Sequence, residues 1–124
     1  MSSKQISKIK LWVPVLIWCG VIFSFSSMQI NHEAEFSWLD FVIKKTAHVT
    51  EYAILYWLTF RAVSQKGKLV DKKYLTYVLV FAFLYAMSDE WHQTFVRGRE
   101  GTLRDVGFDT LGALISLTQI KKNL

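Results

Sequence analysis

The 124-residue chain has a single cysteine, a single proline and six glycines, and only 20% of its residues are charged. One cysteine rules out an intramolecular disulfide. Because Cys19 sits inside an apolar run, it reads as a small buried apolar side chain. So little proline and glycine argues against long structureless loops, disorder and tight-turned β architecture. From Leu11 to His32 there is no Asp, Glu, Lys or Arg at all. Apolar residues fill the space: 52% of the chain is hydrophobic and 15% aromatic, with five Trp, five Tyr and nine Phe. A soluble domain of this length would bury most of those rings and then need more polar cover than the composition readily gives. Helices in a lipid solvent fit best, and the length allows one domain.

The Leu11–His32 stretch is long enough to cross a hydrocarbon core of roughly 30 Å at ~1.5 Å per residue. Lys4, Lys8 and Lys10 precede it, as they would a secretory signal ending near Ser24–Ser27, but the apolar helices that follow argue against that reading. Three further runs are less pure. Tyr52–Phe60 (YAILYWLTF) belongs to a helix beginning near Leu39, which therefore includes Lys44, Lys45, His48 and Glu51. Tyr74–Ser88 is uncharged and continues into DEWHQ, and Val106–Ile120 carries Asp109 as its one charge. Hydropathy alone certifies the first span and leaves a rival for the rest, a soluble helical domain on one anchor. The expectation is an all-α, integral membrane four-helix bundle forming one domain over 1–124, with spans near 10–28, 40–61, 74–93 and 104–120.

Loop charges favour the four-span reading. Cations gather in the amino-terminal tail, in the segment from Arg61 to Lys73 (Arg61, Lys66, Lys68, Lys72, Lys73) and at the carboxyl end (Lys121, Lys122). The segment from Met28 to Asp40 has Glu33, Glu35 and Asp40 but no Lys or Arg, and His32 there reads as solvated. The positive-inside rule then puts both termini and the middle loop in the cytoplasm of a multi-pass protein. The net charge of +5 is thereby explained without a nucleic-acid partner. One segment runs against the rule: Arg97, Arg99 and Arg104 fall on the outer side, either paired with Asp89, Glu90, Glu100 and Asp105 or kept for a ligand.

Topology and periodicity combine usefully. At ~100° per residue, Lys45, His48, Glu51 and Tyr52 share an arc of about 120° on the outer half of the second helix. Asp89, His92 and Gln93 share about 100° at the outer end of the third, with Glu90 at the edge, and Asp105, Asp109, Gly112 and Ser116 form a stripe about 80° wide on the fourth. All three faces end at one level. Charges cost roughly 2.5–3.5 kcal/mol each at a helix centre, so these faces should meet around a polar pocket open to the outside. Gly112 and Ser116, four apart, would let the fourth helix approach a neighbour closely. A purely structural network, for example Lys45 with Asp105 or Asp109, is the competing account of the same residues.

The chemistry such a set supports is broad. His48 with Glu51, and His92 with Asp89 or Glu90, are carboxylate–imidazole pairings suited to proton transfer. Two histidines and several carboxylates could hold a divalent metal, but no HExxH or cysteine cluster specifies one, so the cofactor stays open. Ser88 beside Asp89 carries no mark of an activated nucleophile. Lys45 with the arginines could cradle a phosphate, and an outer-leaflet lipid would bring its phosphate to this level. Trp38, Trp57, Trp91, Tyr52, Tyr56, Tyr74 and Tyr77 read as interfacial belt or packing.

Two segments resemble the VanZ-like family. KKTAHVTEY at Lys44–Tyr52 is similar to its K-x-x-H-x-x-x-Y pattern, and SDEWHQTFVRGREGTLRDVGFDTLG at Ser88–Gly112 to its D-E-x-x-Q-x-F-x-P-G-R pattern followed by D and N-x-x-G. SFSS at Ser24–Ser27 also resembles the end of that family's first helix. The resemblance implies a bacterial cytoplasmic-membrane protein, with an association to low-level resistance to the glycopeptide teicoplanin. It carries Lys45, His48, Tyr52, Asp89, Glu90, Gln93, Phe95, Gly98, Arg99, Asp105 and Gly112 as motif positions. Arg97 stands where Pro is usual and Asp109 where Asn is usual.

The resulting expectation is a cell-envelope protein binding a phosphate- or carboxylate-bearing lipid or glycopeptide-related ligand. His48, Glu51, Asp89, Glu90 and His92 are the candidates for proton transfer or metal ligation. Lys45, Tyr52, Gln93, Arg99, Asp105 and Asp109 are the candidates for ligand binding. The alternative is a non-catalytic membrane scaffold. A transporter is the weaker third reading, because nothing polar continues along the second and third helices. No helix face argues for a dimer.

Overall fold

Ser2 opens the first helix, α1 (Ser3–Ser26), through a capping box: Gln5 N–H donates to the Ser2 hydroxyl at 3.2 Å, and Ser2 N–H donates to the Gln5 side chain at 2.9 Å. Two of the amide groups that a helix start leaves unpaired are thereby satisfied. Pro14 inside α1 removes one helical donor. Helix α2 (Trp38–Val63) starts at Ser37, whose hydroxyl accepts from Asp40 N–H. It ends in a turn where Gln65 (φ 53°) and Lys66 (φ 61°) are left-handed, followed by Gly67 at φ 83°. Lys66 N–H donates back to the Arg61 carbonyl at 2.9 Å, closing the α2 terminus. Asp71 accepts from Lys73 N–H at the start of α3 (Lys73–Gln93), and that bond holds its carboxyl below the usual range. Helix α4 (Leu103–Lys122) has Asp105 in its first turn and Lys121 and Lys122 in its last, as the helix dipole favours.

The computed structural model describes residues 1–28, 37–67, 71–96 and 103–124, and in these the fold is all-α with four helices. His32, Glu33, Glu35, Lys68, Arg97, Gly98, Arg99 and Glu100 lie outside the described residues. Helix α2 is the hub: it packs on the other three, most extensively on α4, while α3 also packs on α4 and α1. Leu11, Val15 and Ala62 join α1 to α2. Tyr56, Phe60, Leu75, Val78, Ala82 and Ala113 join α2, α3 and α4, and Tyr56 donates its hydroxyl to the Leu75 carbonyl at 2.8 Å. Ile22, Tyr52, Leu55, Ala86 and Val106 draw one layer from all four helices.

The closest approach is between α2 and α4, which run parallel. A Cβ added at Gly112 would overlap the Val49 carbonyl oxygen and stand 2.9 Å from its carbon and 3.1 Å from the Ala53 nitrogen. One turn on, the Ser116 hydroxyl donates to the Ala53 carbonyl at 2.5 Å. Small residues let two helix backbones approach this closely, and an interhelical hydrogen bond holds them there. Gly112 thus fixes the register of α4 on α2.

Among the described residues, α1 is the one helix long and apolar enough to cross a membrane. The first run is so marked by composition; α2, α3 and α4 are not. Their surface is nonetheless apolar: Leu84 is 59% exposed and Leu111 46%, whereas Asp109 is 0%. The aromatics divide accordingly. Trp38, Trp57, Trp91 and Tyr77 are exposed, while Tyr52 and Tyr56 are fully buried and serve packing.

Candidate functional site

The α2–α4 register brings two polar pairs together above the buried apolar layer. Where Gly112 meets Val49, Asp109 lies one turn back along α4 and His48 one residue back along α2. His48 Nδ1 and Asp109 Oδ1 are 2.8 Å apart. Another turn toward the helix starts, Lys45 pairs with Asp105, both side chains largely enclosed at 15% and 11% exposure. Lys45 also sits over the rings of Phe41 and Phe108, at 5.4 and 5.6 Å from their centroids. Arg104 stands 5.5 Å from the centroid of the Phe41 ring. Lysine is held here by a carboxylate and two aromatic faces, an arrangement that keeps a cation fixed in apolar surroundings.

Helix α3 supplies the third wall. Asp89, Glu90 and Gln93 are all buried at its carboxyl-terminal end. Glu90 offers a carboxylate oxygen that lies, with one donor atom each from His48 and Asp109, inside a 4.8 Å triangle. Asp89 is within electrostatic reach of Asp109 and Tyr52, and Glu51 and Asp105 are within reach of His48. The Tyr52 hydroxyl and Asp109 Oδ2, both on fully buried residues, have no hydrogen-bond partner among the described residues. The amino termini of α2 and α4 lie at this end, so their dipoles favour the carboxylates gathered there.

Placement departs from the local pairings in two ways. His48 bonds to Asp109 on α4, where Glu51 on its own helix was the pairing expected. His92 engages α1: its ring stacks on Phe23 at 4.4 Å, with Nδ1 3.5 Å from the Ser26 hydroxyl and Nε2 3.4 Å from that of Ser27. Phe23, Ser26 and Ser27 are therefore site residues that sequence reasoning missed. The SFSS tetrapeptide was the one signal, and it named no partner. Glu51 contributes its backbone carbonyl to the Trp18 indole N–H at 2.8 Å, which ties α1 to α2. Arg99 lies outside the described residues.

Four helices with a buried polar cluster at one end, an apolar exterior and one helix suited to spanning fit a small membrane-associated protein. The VanZ/LLP1 family model matches residues 3–121, and the chain belongs to that family, which places it in the cell envelope. No curated protein matches it. No solved structure does either.

Proposed function

We propose that this chain is a four-span protein of the bacterial cytoplasmic membrane whose polar cluster faces outward. The cluster binds a phosphate- or carboxylate-bearing envelope lipid or glycopeptide-related ligand. The observation that carries this reading is the burial of Lys45, His48, Glu90, Asp105 and Asp109 at one end of the bundle, with apolar side chains turned out around them. The opposite end supports the orientation: Lys4, Lys8, Lys10, Arg61 and Lys66 line a cavity there of about 490 Å³, the cationic end that the positive-inside rule assigns to the cytoplasm. A groove of about 430 Å³ between α3 and α4 is lined by Phe83, Met87, Leu103, Val106, Leu111 and Leu114. An acyl or prenyl chain fits its chemistry, with the headgroup at the cluster. The His48–Asp109 pair is placed for proton transfer to or from such a headgroup.

The interhelical pairs Lys45–Asp105 and His48–Asp109 also favour a second reading, a scaffold whose polar network only fastens α2 to α4. Teicoplanin susceptibility of a host expressing the chain separates the two. The binding reading predicts that wild type lowers susceptibility and that His48→Gln abolishes the effect at unchanged membrane abundance. If His48→Gln protects as well as wild type at equal abundance, the binding reading fails. If protection and abundance fall in step, the scaffold is correct.

A further inference from the structure

We infer that His48, Glu90 and Asp109 form a binding site for one divalent first-row transition ion. The inference deepens the pocket reading above by naming an ion for the same cluster, and its test uses the metal alone. Each of α2, α3 and α4 contributes one residue, and the three donor atoms lie within 4.8 Å of one another. Donors around an ion with bonds of ~2.0–2.2 Å stand roughly 3–4 Å apart, so a small inward movement of side chains completes the set. His48 Nδ1 and Asp109 Oδ1, at 2.8 Å, need only a small separation to stand as two adjacent ligands. That contact needs a proton between the atoms when no ion is there. An ion takes the proton's place, so binding releases it and weakens as pH falls.

The second observation is the unmet polar demand at the same spot. Asp109 is 0% exposed and its Oδ2 has no partner among the described residues. A carboxylate oxygen sealed from water without a donor is costly, and such atoms are few in native structures. Tyr52, one turn along α2 from His48, is also 0% exposed with its hydroxyl unmatched among the described residues. A hydrogen bond from His48 answers one oxygen of Asp109 and leaves the other. An ion in the proton's place, held by both oxygens of Asp109, leaves neither unmatched, and a water on that ion could reach the Tyr52 hydroxyl.

The donor set selects the ion's class. One imidazole and two carboxylates suit zinc, manganese or ferrous iron; magnesium and calcium prefer all-oxygen shells, and copper(I) prefers sulfur. Two carboxylates and a neutral imidazole also balance a 2+ charge, leaving the occupied site neutral within an apolar bundle. Three protein ligands leave a coordination position open. A phosphate or carboxylate oxygen entering the pocket could take it.

The full-length chain, purified in detergent and stripped with chelator, tests this by equilibrium titration with Zn²⁺ and Mn²⁺. About one equivalent of one of these ions should bind, and Asp109→Asn and Glu90→Gln should each weaken it by roughly 100-fold or more. Cys19→Ala should bind as wild type does, since Cys19 does not belong to the set. Binding of neither ion by wild type, equal binding by wild type and both ligand variants, or loss of binding in Cys19→Ala overturns the site. Should the ligand variants fail to fold, Co²⁺ absorption of the wild type decides. Ligand-field bands without a sulfur charge-transfer band support the set, and a sulfur band or no spectrum refutes it. Metal binding without any His48-dependent teicoplanin effect would refute the ligand reading and leave the metal site standing. A His48-dependent effect without metal binding would do the reverse.

Discussion

Gly112→Val is expected to remove the folded protein from the membrane, and Gly112→Ala to leave a small residual fraction. The cause is steric and local. Even the first added carbon overlaps the Val49 carbonyl oxygen, with the Val49 carbon at 2.9 Å and the Ala53 nitrogen at 3.1 Å. These are backbone atoms of a helix and cannot rotate away as a side chain could. Overpacking a well-filled site typically costs about 1–3 kcal/mol, and a collision with backbone belongs at or above the top of that range. Pushing α4 off α2 would also separate Ser116 from Ala53, His48 from Asp109 and Lys45 from Asp105 in one movement. Membrane abundance and gel-filtration profiles in detergent check the outcome. Wild-type abundance for Gly112→Val would mean that α2 and α4 do not approach as described.

Asp105→Ala is expected to cost about 3 kcal/mol or more, because it leaves the Lys45 ammonium enclosed without its carboxylate. Replacing both partners by apolar residues, as in Lys45→Met with Asp105→Leu, should recover most of that loss, since a buried pair is commonly exchangeable for packed apolar side chains. Thermal unfolding in detergent of Lys45→Met, Asp105→Leu and the double variant forms the cycle, with a coupling of about 1–3 kcal/mol expected. Additive losses would show that the pair does not act as one unit. The double variant has a further use. Stable but inactive protein would mean that the pair serves a ligand as well as the fold.

Much of this site was legible in the chain because helical periodicity is. The stripe Asp105–Asp109–Gly112–Ser116 is the face that meets α2, and Lys45 with Asp105 was among the pairs that periodicity put at one level. The partner of His48 was less legible. Glu51 is its neighbour along α2, but the choice of Asp109 follows from the depth to which Gly112 admits α4, a tertiary fact with no local signal. His92 illustrates the same limit. Its position at the end of α3 was readable, whereas its turn toward Phe23, Ser26 and Ser27 depends on which helix lies beside α3. Tyr52 sits on the polar arc of α2 and yet is fully buried in the apolar layer, because one ring serves both. Hydropathy is lower in α2, α3 and α4 than in α1 in part because the polar cluster's own charges lie in these helices.

Single-cysteine accessibility in intact cells tests the central claim most directly, that the polar cluster stands at the outward end of a four-span bundle. Cysteines at Trp38 and Phe95, which are 73% and 72% exposed at the cluster's end, and at exposed Asp71 near the other end, would be placed in a Cys19→Ala background. A membrane-impermeant maleimide should label positions 38 and 95 and spare position 71 until the cells are opened. Labelling of position 71 in intact cells, or protection of position 95, would contradict the outward-facing pocket.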